Sequence, residues 1–170
     1  PFTISKFEVS NKEYQEFVDS GGYTNPKFWD FPITIHNRSY DFKSTMKLFT
    51  GKYGKPGPAN WSYGKFPSGL ENYPVTGISW FEAKAYAKFR NLDIPNVFQW
   101  LYASGTGFSG IYDSKMIDNS NFNSNQMREV TDTRGNADGV NNIAGNVKEW
   151  LHNPFGDKKD EYSILGGSYQ

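Results

Sequence analysis

At residues 142–150 the chain reads Asn142-Ile143-Ala144-Gly145-Asn146-Val147-Lys148-Glu149-Trp150, a stretch dense in groups that can direct oxygen atoms inward. Asn142 and Glu149 carry side-chain oxygens, and Gly145 permits a backbone conformation that aims a carbonyl group inward. Carboxylate, amide and carbonyl oxygens in one short loop suit Ca²⁺, which accepts irregular cages of about six to eight oxygens. The alternative is a tight turn capped by Asn146 and followed by a buried strand, and local residue types alone favour that turn.

The composition bounds the class of protein. The 170 residues suffice for one domain with a substantial core, and we expect a single domain over 1–170 that is cut from something longer at both ends. The 18 basic and 18 acidic residues balance, so the sequence lacks the excess of basic residues that is typical of proteins that bind nucleic acid. The absence of cysteine excludes a disulfide, a zinc-thiolate site and a cysteine nucleophile within these residues. No apolar run approaches the length of a membrane span, so we expect no membrane insertion by this segment.

Three capping boxes predict where helices begin. In each box a Ser or Asn is followed three residues later by Glu or Gln, so that the two side chains can satisfy free backbone N–H groups at the helix start. The pairs are Ser10 with Glu13, Ser79 with Glu82, and Asn96 with Gln99. The alternation of apolar and polar residues over 2–9 predicts a strand, and residues 163–165 are typical of a last strand.

Aromatic residues are unusually abundant, with 14 Phe, 11 Tyr and 5 Trp, and many lie between residues 23 and 73, where no period is sustained. Irregular stretches of this length are often functional, and the density of rings argues against disorder. We therefore predict a binding face on the aromatic surface around Trp29, Trp61 and Tyr63, although a packed core would use the same rings. With many Gly and Pro residues, the pattern predicts an α+β domain that is rich in loops, with short helices and small sheets.

Residue types alone indicate no catalytic centre. His36 and His152 are the two histidines of the chain, too few for a histidine-rich iron or zinc centre. A Gly-x-Ser-x-Gly elbow and a glycine-rich phosphate loop are both missing from the sequence.

Several segments, taken in order along the chain, carry a family resemblance. They are Ile4-Ser5-Lys6-Phe7-Glu8-Val9-Ser10-Asn11, Tyr73-Pro74-Val75-Thr76-Gly77-Ile78-Ser79-Trp80, residues 82–86 and 94–103, Gly145-Asn146-Val147-Lys148-Glu149-Trp150, and Leu165-Gly166-Gly167-Ser168-Tyr169. In this set the chain resembles the formylglycine-generating, or sulfatase-modifying factor, family. The resemblance implies an antiparallel, loop-rich variant of the C-type-lectin-like fold that is stabilised by calcium.

The resemblance also implies particular calcium ligands. One family calcium is bound by residues that match Asn142, Gly145, Val147 and Glu149, the middle two through backbone carbonyls. A second would use Asn121 and the carbonyl of Phe122, while its remaining ligands fall between residues 127 and 136, where this sequence is shortened. The family resemblance therefore favours a metal site over the simple turn at residues 142–150.

Catalysis in this family is a separate question. Members that oxidise a sulfatase cysteine to formylglycine use copper and two cysteines, and this chain has none, although Ser168 matches the family serine. Catalytic members usually have a tryptophan of the substrate cleft at the position that Lys148 matches. A sibling branch of the family binds iron through histidines, and the two histidines of this chain argue against membership of that branch. Lys148 and the stretch Gly57-Pro58-Ala59-Asn60-Trp61 instead resemble a branch joined to bacterial serine/threonine kinases, whose members generally lack the cysteines.

Two main hypotheses follow for the function. The preferred one is a non-catalytic sensing module of a larger bacterial protein, extracytoplasmic and stabilised by calcium, which binds a protein, peptide or small molecule through Trp29, Trp61, Tyr63, Lys148 and Ser168. The alternative is a copper-dependent formylglycine-generating oxidase whose catalytic cysteines lie beyond Gln170. A third, purely structural role in an assembly is also compatible with these residues.

Overall fold

A computed structural model describes residues 1–105, 114–156 and 161–170, and within them it shows short helices and small antiparallel sheets. The helices are α1 (Asn11–Asp19), α2 (Phe42–Met46), α3 (Trp80–Phe89), α4 (Val97–Ala103) and α5 (Ser114–Asp118), with a 3₁₀ turn at Pro26–Phe28. Strand β1 (Thr34–Ile35) pairs with β2 (Arg38–Ser39), and β3 (Glu149–Pro154) pairs with β4 (Tyr162–Leu165), both antiparallel. Among the described residues, none of the helices has the length and apolar character needed to cross a membrane.

All three predicted capping boxes are formed, and each one fixes the start of a helix. Before α1, Ser10 Oγ accepts a hydrogen bond from the Glu13 N–H at 3.2 Å, and Glu13 Oε2 accepts one from the Ser10 N–H at 2.9 Å. The same reciprocal bonds precede α3 and α4, in the pairs Ser79–Glu82 and Asn96–Gln99. The helix starts were therefore predictable because all the chemistry lies within three residues along the chain.

The predicted strand over residues 2–9 is wrong. A strand needs a partner that pairs with it residue after residue, and here the backbone bonds instead to two separate segments. Val9 O accepts a hydrogen bond from the Val75 N–H at 2.8 Å, and Lys6 O accepts one from the Asn141 N–H at 2.8 Å. The start of the chain is thus tied directly to the loop that precedes β3. The predicted strand at residues 163–165 is confirmed within β4.

Most of the aromatic side chains form a core between α1 and α3. Tyr14 stacks on Tyr86 with ring centroids 5.2 Å apart, and its edge meets the ring of Trp61 at 6.0 Å. Trp61 is 0% exposed and Trp29 is buried as well. The structure therefore places these two tryptophans not on an exposed face but in the core, where their rings hold the irregular region of residues 23–73 onto the helices.

A second, smaller core lies beneath β3. Leu151 of β3, Trp100 of α4 and Ile143 of the preceding loop pack together there. The Trp80 Nε1–H donates a hydrogen bond to Leu151 O at 2.8 Å and so links α3 to β3. The loop of residues 142–148 is consequently held against α4 on one side and against the start of the hairpin on the other.

Candidate functional site

The loop before β3 is shaped by two asparagines and by one close glycine contact. Asn142 and Asn146 have φ values of +57° and +62°, a left-handed conformation that Asn adopts more readily than most residues. A Cβ on Gly145 would lie 2.4 Å from Asn121 O, so any side chain there would collide with backbone. Gly145 is therefore required by close packing against residue 121.

Four polar side chains form a buried network beneath this loop. Glu8 Oε2 accepts hydrogen bonds from Asn142 Nδ2 at 3.1 Å and from Asn146 Nδ2 at 3.0 Å. Asn146 Oδ1 accepts from Asn121 Nδ2 at 2.9 Å, and Asn142 Oδ1 accepts from the Asn121 backbone N–H at 3.2 Å. Glu8, which was not among the predicted site residues, is thus the only carboxylate in this network of described side chains. Its place within the family-like segment of residues 4–11 was the one signal that could have indicated it.

Glu8 uses only part of its hydrogen-bonding capacity. Its Oε1 atom is buried and has no hydrogen-bond partner among the described residues. Burial, and to a smaller extent the neighbouring Glu149 carboxylate, raise the pKa of Glu8 to about 8, while the side-chain amides of Asn146 and Asn142 and the backbone N–H of Val147 lower it. Because an unpaired charge in the interior is costly, this carboxyl group requires either a proton or a cation.

Glu149, at the start of β3, is the second carboxyl group of the site. Its Oε2 atom accepts a hydrogen bond from Trp100 Nε1 at 2.5 Å. Burial raises the pKa of Glu149 to about 7, and the bond from Trp100 opposes that rise. In the described part of the chain, the ion pairs involve neither Glu8 nor Glu149. Among the described residues, the buried Glu8 and the half-buried Glu149 therefore repel each other and have no cationic side chain as a partner.

Two carbonyl oxygens of the loop lie close to the hydrogen-bond partner of Glu149. A Cβ on Gly166 would lie 3.1 Å from Ile143 O, 3.7 Å from Val147 O and 3.8 Å from Cζ2 of Trp100. Both carbonyls thus border the space that the missing side chain of Gly166 leaves open, beside the indole that binds Glu149. The predicted carbonyl ligand Val147 is placed near the Glu149 side of the site, and Ile143 is an oxygen that was not predicted.

These donors fit a hard cation. Carboxylate, amide and carbonyl oxygens are the ligands that Ca²⁺ prefers. In residues 1–105, 114–156 and 161–170, no cluster of three or more His, Cys, Asp or Glu side chains could hold a metal, so an ion here would need the amide and carbonyl oxygens. The predicted ligand Asn142 bonds through its side chain to Glu8 and to the backbone of Asn121.

The second predicted cation site shares Asn121 with this network. Asn121 is buried, and its Oδ1 atom has no hydrogen-bond partner in the described part of the chain, while Nδ2 donates to Gln126 O at 2.9 Å. Phe122, the other predicted ligand, has a half-exposed side chain. The Arg128 N–H donates to Asn146 Oδ1 at 2.9 Å, so part of the shortened segment is also fixed to the network.

The residues predicted to contact a ligand differ in how far they are exposed to solvent. Trp29 and Trp61 are core residues, whereas Tyr63 is largely exposed and stacks on Tyr53, which was not predicted. Lys148 is exposed, and Ser168 Oγ donates to the backbone O of the last residue at 3.3 Å. Of the predicted contact residues, Tyr63 and Lys148 are therefore exposed and Ser168 is partly exposed.

Comparison with known proteins gives a family match along the whole chain. Residues 1–170 match the family described as the sulfatase-modifying factor enzyme 1-like domain, FGE-sulfatase. The chain is 27% identical over 99 residues to a hercynine oxygenase of Mycolicibacterium smegmatis, covering 58% of this chain and 22% of that protein. It is 26% identical over 178 residues to the formylglycine-generating enzyme of Mus musculus, covering 88% and 48%. A serine/threonine-protein kinase, pkn1 of Chlamydia caviae, is 24% identical over 159 residues, covering 91% and 23%.

The matched part spans less than half the length of each of these relatives. Among solved structures, the crystal structure of CarF superposes with a TM-score of 0.55 at 18% sequence identity, covering 98% of this chain and 74% of that one. This likeness shows a shared fold.

Proposed function

The chain belongs to the family of sulfatase-modifying factor enzyme 1-like domains, and from that membership we propose that it is a non-catalytic binding module of a larger bacterial protein. In this proposal the domain has the lectin-like variant of the fold, carries calcium as a structural ion, and binds a protein, peptide or small molecule at its surface. A kinase relative that matches nearly the whole chain supports a role as a module attached to another activity.

The residues present support a non-catalytic role. Family members that oxidise a cysteine of a substrate protein would need two cysteines of their own for this reaction. The 170 residues of this chain contain no cysteine. The exposed Lys148 occupies the position that catalytic members fill with tryptophan, so the expected substrate cleft is altered as well. Iron held by several imidazoles would need more than the two histidines of this sequence.

The observation that supports the calcium part of the proposal is the pair of carboxyl groups beside the loop, Glu8 and Glu149, without a cationic side chain among the described residues. Glu8 and Glu149 have pKa values raised to about 8 and about 7, and the loop carbonyls of Ile143 and Val147 lie near the second of them. A divalent ion would supply the positive charge that the described side chains do not. Glu149, Val147, Gly145 and Asn142 would hold it, and Glu8 would stabilise it at longer range.

Two measurements test the proposal. Ca²⁺ titrated into chelator-treated protein, with Mg²⁺ as the control ion, should raise the temperature of thermal unfolding; no response to Ca²⁺ would contradict the structural-ion role. Incubation of the larger parent protein with copper and a sulfatase-derived cysteine peptide should yield no aldehyde product. Aldehyde formation by the parent protein would overturn the non-catalytic role, whatever the result with calcium.

A further inference from the structure

The tripeptide Tyr-Gly-Lys occurs twice, at residues 53–55 and 63–65, and both copies have the same unusual backbone. Tyr53 and Tyr63 have φ values of +66° and +55°, and the glycines that follow them have +70° and +73°. Two successive positive φ values are characteristic of type I′ turns, where Asn-Gly is the usual sequence. A bulky residue in this conformation is a genuine outlier; such outliers persist where the surrounding structure holds them in place, and they cluster at functional sites.

The two turns lie side by side on a common support. The second turn is closed by reciprocal bonds of 3.0 Å between Ser62 and Lys65, and the first by a bond of 2.9 Å from the Gly51 N–H to Lys55 O. The Lys52 N–H donates to Trp61 O at 2.7 Å and thereby joins the first turn to the strand-like segment before the second. Because Trp61 is fully buried, this support is anchored in the core.

This arrangement presents two tyrosine rings to solvent as one rigid unit. The rings of Tyr53 and Tyr63 are stacked with centroids 4.4 Å apart and planes 9° apart. They nevertheless remain 70% and 67% exposed. Tyrosine supplies a large amphipathic contact area at low entropic cost, and here the rings are already ordered before any partner arrives.

The surroundings of the ring pair are positively charged. Residues 42–70 contain five lysines and no Asp or Glu, although the whole chain is electrically neutral. Lys65 forms an ion pair with Asp19 at 3.0 Å. Lys52 and Lys55 flank Tyr53, are exposed, and form no ion pair with the described residues. The ring pair therefore combines an aromatic ridge with two available cations.

We propose that Tyr53, Tyr63, Lys52 and Lys55 form the docking surface for an extended, acidic, proline-containing segment of a partner protein. Proline rings pack on exposed aromatic side chains, and carboxylates of the segment would complement the two lysines. The net charge of zero argues for a peptide rather than a nucleic acid, whose recognition calls for a broad basic surface. This inference rests on the proposed binding function and assigns to it a surface and a class of partner.

The test measures fluorescence anisotropy with a labelled peptide of alternating glutamate and proline, beside a glutamine–proline peptide and an oligothymidylate. The first probe should bind, more weakly at high salt, and the other two should not. The double variant Tyr53→Ala/Tyr63→Ala and the charge reversal Lys52→Glu/Lys55→Glu should each weaken binding by about tenfold or more. Tyr102→Ala, on a tyrosine that is also 70% exposed but lies on α4, should bind like the parent chain.

The outcomes separate the surface from the function. Binding of the acidic peptide that survives both double variants would overturn this surface but leave a binding module standing. Binding of the oligothymidylate instead, or of none of the probes, would overturn the acidic-peptide partner. The calcium titration and the aldehyde assay are independent of these probes and judge the proposed function separately. Because the substituted side chains are exposed, each variant should remain folded, and a thermal unfolding measurement on each variant checks this.

Discussion

Asn146 Nδ2 donates a hydrogen bond of 3.0 Å to Glu8 Oε2 in the protein interior, although the two residues are 138 positions apart in the sequence. The bond joins the first segment of the chain to the loop before β3. The other oxygen of Glu8 has no hydrogen-bond partner among the described residues, and Glu149 disfavours the ionised form of Glu8. We therefore expect this long-range junction to respond to pH.

In the presence of a chelator, the free energy of unfolding should fall as pH rises from about 5 to about 8. The folded-state pKa values of Glu8 and Glu149 are raised to about 8 and about 7. An unfolded glutamate titrates near ~4.3, so the folded protein binds more protons in this window and loses stability as they dissociate. Urea denaturation at several pH values measures the slope, and Glu8→Gln should flatten it. A parent protein that gains stability over this range would contradict the assigned pKa shifts.

Calcium should reverse that loss and raise the melting temperature most strongly near pH 8, where both carboxyl groups of the chelated protein are ionised or close to it. An ion that binds only the folded state stabilises it by mass action. Glu149→Ala should abolish the response to calcium, whereas Lys148→Ala, on the exposed neighbour, should retain it. Differential scanning fluorimetry with added Ca²⁺ measures both, and two variants that respond alike would show that the ligand assignment is wrong.

The helix starts and the last strand could be predicted from the sequence because their determinants are local. Ser10 and Glu13 are three residues apart, and the side chain of each bonds to the backbone N–H of the other when a helix begins between them. The alternation of apolar and polar residues at 2–9 gave a wrong prediction of a strand. A strand also needs a pairing partner that is distant in sequence, and the alternation does not show whether one is present.

The candidate site was predicted only in part, for the same physical reason. Residues 142–149 are close together in sequence, and the loop they form is present. Glu8 contacts this loop through bonds that span more than 130 positions, a relationship that residue types do not reveal. Trp61 and Tyr63 are two residues apart, yet one is buried and the other exposed, because the backbone at Tyr63 turns outward with φ of +55°.

Gly145→Ala should destabilise the protein by about 2–3 kcal/mol, since overpacking against rigid backbone cannot be relieved by a rotamer change. The new Cβ would lie 2.4 Å from Asn121 O and 2.7 Å from Asn121 C. Gly69→Ala is the matched control: its φ is +80° but nothing lies within 4 Å, so only backbone strain of about 1 kcal/mol is expected. Equal losses in urea denaturation would mean that contact with Asn121 is not what requires glycine at position 145.

Trp61→Ala should cost about 3–5 kcal/mol of stability, as expected for removal of a buried aromatic side chain. Tyr63→Ala, two residues further on, should change stability by less than about 1 kcal/mol, because exposed side chains contribute little. The two variants should differ because the side chain of Trp61 is 0% exposed and that of Tyr63 is 67% exposed. Chemical denaturation of the two variants compares them directly, and a large loss in Tyr63→Ala would show that the stacked tyrosines serve stability rather than recognition.

Tyr23→Phe should destabilise the core by about 1–3 kcal/mol, because it leaves a buried carboxylate without one of its donors. Tyr23 Oη donates to Glu82 Oε1 at 2.7 Å and lies 3.0 Å from the hydroxyl of Tyr14, so this one hydroxyl joins α1 to the capping box of α3. Burial already raises the pKa of Glu82, and the bond from Tyr23 lowers it, so the variant should raise that pKa further. Tyr14→Phe is the control, since it keeps the bond to Glu82 and should cost less. Urea denaturation of both variants tests the order, and an equal or larger loss in Tyr14→Phe would show that the carboxylate of Glu82 does not depend on Tyr23.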